Sequence, residues 1–136
     1  MAFAHAQLDG RPRVHSIPRM VIRSQRAGQV AAALEAAWRA DDAGALAAAR
    51  ERRLQASWHL RLALRDGDRV TGQQACDLAL LADLLRRAGD FGGAQRAAER
   101  GLQAAGNFSV RALLYLQRRL ATDGDATMHD LGEAFM

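Results

Sequence analysis

Residues 39–56, RADDAGALAAARERRLQA, and residues 87–104, RAGDFGGAQRAAERGLQA, agree at ten of eighteen positions without a gap. Seven of the agreements are not alanine, among them Asp42/Asp90, Gly44/Gly92, Glu51/Glu99 and Leu54/Leu102. Each copy is rich in Ala, Arg, Glu and Leu and starts on a turn signal, so each reads as a helix end, a tight turn and a second helix. Upstream, Val30 falls opposite Leu78 and Ala37 opposite Leu85. The repeated object is therefore a helical hairpin with a period of 48 residues. One hairpin cannot bury its apolar face alone, so stacked copies share a core. Gly44 with Gly92 and Ala49 with Ala97 are read as points where antiparallel helices approach closely.

The helices follow from the apolar spacing. Val30, Leu34 and Trp38, flanked by Ala27, Ala31 and Ala37, make one stripe between Pro18 and Ala40, with Gly28 as a kink near its start. Asp41-Asp42 ends this helix and caps the next, whose first turn offers orphan amide hydrogens. Over 43–65 the stretch LQASWHLRLALR alternates as a strand would. The absence of Val, Ile and Thr, and the helical spacing of Leu54, Trp58 and Leu62, decide for a helix packed between two neighbours. Asp66-Gly67-Asp68 is a turn, and Thr71 with Gln74 forms a capping box. Leu78, Leu81, Leu84 and Leu85 carry a third helix to Gly89. Asp90 caps a fourth with Phe91, Ala94, Ala98 and Leu102. Asn107 caps a fifth with Val110, Leu114 and Leu120, and Thr127 a short sixth.

Residues 78–102, LALLADLLRRAGDFGGAQRAAERGL, resemble a tetratricopeptide repeat: a helix, Gly89-Asp90-Phe91 at the turn, and small Ala94 and Ala98 on the second helix. Residues 30–54 follow that pattern poorly, with Asp41 for the glycine, Ala43 for the aromatic, and Arg50 and Arg53 on the second helix. The resemblance implies an all-α fold, a right-handed α-α superhelix of two stacked hairpins plus C-terminal capping helices, serving as a binding scaffold. The organisation read from the whole chain is a basic arm over 1–16, a helical-repeat domain over 17–122 and an acidic tail with a short helix over 123–136. An Asp9-Gly10 pair in the arm is a hairpin signal that Pro12 weakens.

All nineteen basic residues are arginine, and the net charge is +4. Residues 1–30 carry five arginines against one aspartate, whereas 121–136 carry four acids and no arginine. The single cysteine, Cys76, lies among alanine and leucine and reads as a small core residue. No apolar run reaches the roughly 18 residues of a membrane span, and no basic-then-apolar leader pattern appears at the N-terminus. The expected location is cytoplasmic, with no membrane association.

Residues suited to catalysis are sparse. His5, His15, His59 and His129 share no metal-ligand spacing, and the aspartate pairs read as caps and turns. The chain is expected to be no enzyme and to need no cofactor or metal. Two binding functions remain. If the first helix of each hairpin lines a concave face, as the resemblance implies, then Glu35, Arg39, Asp83, Arg86, Arg87, Arg111, Tyr115 and Arg118 face a protein or peptide partner. Five arginines against two acids favour an acidic one. The alternative is nucleic acid held at its phosphates by Arg11, Arg13, Arg19, Arg23 and Arg26. Two hairpins fall short of the three units a repeat array needs. A homodimer formed head to tail by the basic and acidic ends is accordingly expected.

Overall fold

The computed structural model describes residues 24–129 and 131–135. Five α-helices, α1 (Gln25–Asp42), α2 (Leu46–Arg65), α3 (Gln74–Arg87), α4 (Phe91–Ala104) and α5 (Phe108–Thr122), precede a short 3-10 helix over Leu131–Phe135. There is no strand among the described residues, and the alternating stretch 54–65 lies wholly within α2. Helices α1 and α2 form one hairpin, α3 and α4 the next; α2 packs on α3, and α5 covers both α3 and α4. The arm over 1–16 falls outside the described residues.

Four helices stop in the same way. At Gly44, Gly67, Gly89 and Gly124 the backbone turns left-handed, with φ of +73, +81, +90 and +67°. In each case the glycine N–H bonds back three residues and the following N–H bonds back five, as Ala45 does to Ala40 at 2.8 Å and Asp90 to Leu85 at 2.8 Å. This is the Schellman arrangement, which an L side chain at the glycine would strain.

These endings correct the repeat register. Gly44 matches Gly89, not Gly92, so the structural period is 45 residues, and the buried Ala49, Arg53 and Ala56 fall on the buried Ala94, Ala98 and Gly101. Val30 thus corresponds to Ala75, and Ala33 to Leu78. Nothing lies within 4 Å of a Cβ placed on Gly44, whereas one on Gly101 would meet Leu114 at 2.5 Å and Leu78 at 3.2 Å. The close approach of helices is at Gly101.

Other local expectations change with the register. Gly28 sits inside an unbroken α1 capped by Ser24, whose hydroxyl accepts from the Ala27 N–H at 3.2 Å. α2 begins after Ala45 with no side-chain cap, so Asp41 and Asp42 belong to the last turn of α1. α3 begins at Gln74 without a capping box. There the bond runs the other way: the carboxylate of Asp77, fully buried, accepts from the N–H groups of Val70 at 2.8 Å and Thr71 at 2.7 Å and from the Thr71 hydroxyl. Burial pushes this carboxyl above its ordinary range, and the bonds from Thr71 and Val70 pull it back. Asp90 and Asn107 do cap α4 and α5, accepting from Gly93 N–H and from Ser109 and Val110 N–H.

α3 is the centre of the molecule. Eleven of its fourteen residues are buried, so it has no solvent face. Cys76 is among them, and burial raises its thiol pKa. In α2 the buried stripe is Ala49, Arg53, Ala56, Leu60 and Ala63, while Leu54 and Trp58 remain 44% and 57% exposed. The bulky residues taken for core are outside; small ones let the helices close together.

Candidate functional site

The eight residues expected to line one groove are not brought together. Glu35 and Arg39 form an exposed i,i+4 pair at 3.8 Å on α1. Arg86 is 1% exposed and is a structural anchor. Its guanidinium donates to Gln117 Oε1 at 2.8 Å, to the backbone carbonyls of Asp125 and Thr127 at 2.7 Å each, and to Asp83 at 3.0 Å. Asp83 accepts from Gln117 as well. Arg87 turns toward Asp41 at 3.5 Å, and burial lowers its pKa despite the nearby carboxylates of Asp83 and Asp41. Asp83, Arg86 and Arg87 therefore hold the fold together rather than face a partner, because α3 is enclosed on every side.

Around Asp41 the charges converge. Arg53, 3% exposed, grips both carboxylate oxygens of Asp41, with Nη1 at 3.0 Å from Oδ1. With Arg87 beside it, this cluster closes the floor of a cleft of about 720 Å³ between the α1–α2 turn and residues 126–128. Its wall carries the exposed side chains of Leu46 and Met128. No spacing in the sequence marks Arg53 as Asp41's partner; they sit twelve residues apart.

The acidic tail, so far as it is described, docks on its own chain. Arg86 holds its backbone at Asp125 and Thr127. The Thr127 hydroxyl and N–H both donate to Asp125 rather than capping a helix. His129 lies between two carboxylates, Nε2 at 2.7 Å from Asp125 and Nδ1 at 2.9 Å from Glu133. Bonds from Thr127 first, then from His129, hold the Asp125 carboxyl far below its ordinary range. Burial opposes protonation of His129, but the bonds to Glu133 and Asp125 outweigh it and raise its pKa above 6.5. Only the imidazolium can donate from both nitrogens. A raised pKa in the folded state makes the His129 contribution fully present below about pH 6.5 and lost as pH rises through the raised value. Amide hydrogen exchange over residues 125–129 is expected to quicken across that rise by more than its intrinsic acceleration with pH; a His129 titration at or below the ordinary histidine value contradicts it.

The last three groove candidates do form a surface, on α5. Tyr115 is 45% exposed. The guanidiniums of Arg118 and Arg111 stand 5.0 and 5.7 Å from its ring centre, within cation–π range. Arg111 is fixed from below: it donates to the Leu102 and Ala105 carbonyls at 3.0 and 3.3 Å, where α4 ends without a left-handed glycine, and to the Tyr115 hydroxyl at 3.2 Å. Phe108, one turn before Arg111 and 78% exposed, extends the same face. A cleft of about 600 Å³ runs along it, bounded by Phe108, Arg111, Tyr115, Arg118, Arg119 and Glu133. The sequence pointed to Arg111, Tyr115 and Arg118 but missed Phe108 and Arg119, although both fall at helical spacing on the polar side of α5.

Among the described residues no group of three His, Cys, Asp or Glu side chains is placed to hold a metal, and no helix is long and apolar enough to cross a membrane. Arg11, Arg13, Arg19 and Arg23 lie outside the described residues, and Arg26 stands half-buried in the first turn of α1. No protein-family model, no curated protein and no solved structure matches the chain.

Proposed function

We propose that the protein is a non-enzymatic interaction module of tetratricopeptide-like type, cytoplasmic, whose α5 face takes an acidic segment of another protein. The observation that carries this is Tyr115, an exposed ring flanked by two guanidiniums in an open cleft beside Phe108. Tyr and Arg dominate the energy of protein contacts because they bring large area and directional bonds at low entropy cost. Arginine forks match carboxylates bidentately, and among the described residues neither Arg118 nor Arg119 has a carboxylate partner. The face runs the length of α5 opposite the stripe Val110, Leu114 and Leu120, so a partner helix lying along it meets the arginines at successive turns.

The test is a displayed peptide library selected on the purified protein. Enriched peptides are expected to carry Asp or Glu at helical spacing, and Tyr115→Ala or Arg118→Glu is expected to weaken them at least about tenfold, the loss of one hot-spot contact. Enrichment without acidic residues, or binders indifferent to both substitutions, contradicts the proposal.

A further inference from the structure

We propose that the outer face of α2 is a self-association surface, on which a second copy of this chain lays its own α2 antiparallel, about a two-fold axis at Trp58. The starting point is what α2 shows to solvent. Its buried residues are Ala49, Arg53, Ala56, Ser57, Leu60 and Ala63. At about 100° per residue, Trp58 lies on the opposite side of the helix, the position furthest from the core. An indole more than half exposed there, with Leu54 one turn before it, stands outside the core. The ring is nevertheless braced: His59 meets it edge-on, centroids 5.1 Å apart and planes at 67°. A shallow hollow of about 510 Å³ lies over Glu51, Leu54, Gln55, Trp58 and His59.

The occupant follows from the order of residues along this face, which reads as its own complement. Counting outward from Trp58, Leu54 and Leu62 stand four residues away on either side, and Glu51 and Arg65 seven residues away. An antiparallel copy centred on Trp58 therefore stacks Trp58 on the partner's Trp58. It sets Leu54 on the partner's Leu62 and pairs Glu51 with the partner's Arg65, each contact occurring twice. Such self-complementarity is the requirement of an isologous interface. Among the described residues Glu51 has no ion pair within its own chain, and the Arg65–Asp66 pair is solvent-exposed, at 67 and 46%, and so costs little to rearrange. A contact from Glu51 to Arg65, about four helical turns, buries on the order of 1,000 Å² in total, the floor for a specific assembly, so the dimer is a weak one.

Sedimentation equilibrium across roughly 5–500 µM tests this, the range that brackets a dissociation constant of tens of micromolar. The wild type is expected to move from monomer to dimer. Trp58→Glu is expected to remain monomeric with its thermal melt unchanged, since the side chain is outside the core. Glu51→Arg is expected to weaken the dimer about tenfold, and Glu51→Arg with Arg65→Glu to restore it, because only the antiparallel pairing opposes these two positions. A monomer throughout the range, a dimer that survives Trp58→Glu, or charge reversal without rescue overturns the proposal. The last two outcomes leave another face, or another occupant of this one, in its place.

Discussion

Replacing Asp77 by alanine is expected to cost about 3–5 kcal/mol of folding stability, since it leaves two buried backbone N–H groups without acceptors and the Thr71 hydroxyl with only the Gln73 carbonyl, 3.1 Å away. Val70 and Thr71 are 1% and 8% exposed, so water cannot take over their bonds. They lie in the link that leads into α3, which packs against α2, α4 and α5, so the loss is global. Asp77→Asn is expected to cost less, because an amide keeps one acceptor oxygen. Its NH₂ then faces an N–H donor, so recovery is partial. Urea denaturation measures both. A change under about 1 kcal/mol for Asp77→Ala would mean that the 66–73 connection holds its shape without this carboxylate.

The second large effect belongs to Arg53. Arg53→Met takes from the Asp41 carboxylate its bidentate partner, and breaking one side of a buried pair typically costs about 3–5 kcal/mol. Arg87, 3.5 Å from Asp41, softens this without replacing it, because its guanidinium is not bidentate there. Removing both charges, Asp41→Ala with Arg53→Met, is expected to be milder than Arg53→Met alone, since Arg87 then loses Asp41 but keeps the nearby carboxylate of Asp83. The second hairpin shows that the position tolerates this: Ala98 occupies the place of Arg53, fully buried. Additive costs for the two single changes in a double-mutant cycle would show that the charges do not interact as the geometry requires.

Helix number, order and type were legible in the sequence because apolar spacing at 3.6 residues survives in every segment. The register of the repeat was not. An offset of 48 rather than 45 residues is three residues too far, close to one helical turn, so the same faces stay buried under either alignment. Only the glycines at positive φ distinguish them, and the sequence match had paired Gly44 with the wrong partner. The enclosure of α3 did leave a signal: Leu80 and Ala79 lie off the stripe of Leu78, Leu81, Leu84 and Leu85, which makes the helix apolar all round. Read that way, Arg86 and Asp83 belong to the interior. In α2 hydropathy misleads for a physical reason. Alanines line the contact because helices there lie close, leaving Leu54 and Trp58 as the most hydrophobic residues on the wrong side. Of the groove candidates, Arg111, Tyr115 and Arg118 share one face because they fall at helical spacing on α5, opposite its buried stripe.

That face of α5 is where the account stands or falls, and amide chemical-shift mapping tests it most directly. An acidic helical peptide selected on the protein should be titrated into the isotope-labelled full chain. Perturbations are expected to concentrate between Phe108 and Thr122, with the Tyr115 amide among the largest, and to need at least about ten times more peptide in Tyr115→Ala. Shifts centred on α1 or α2, with residues 108–122 unmoved, would contradict it.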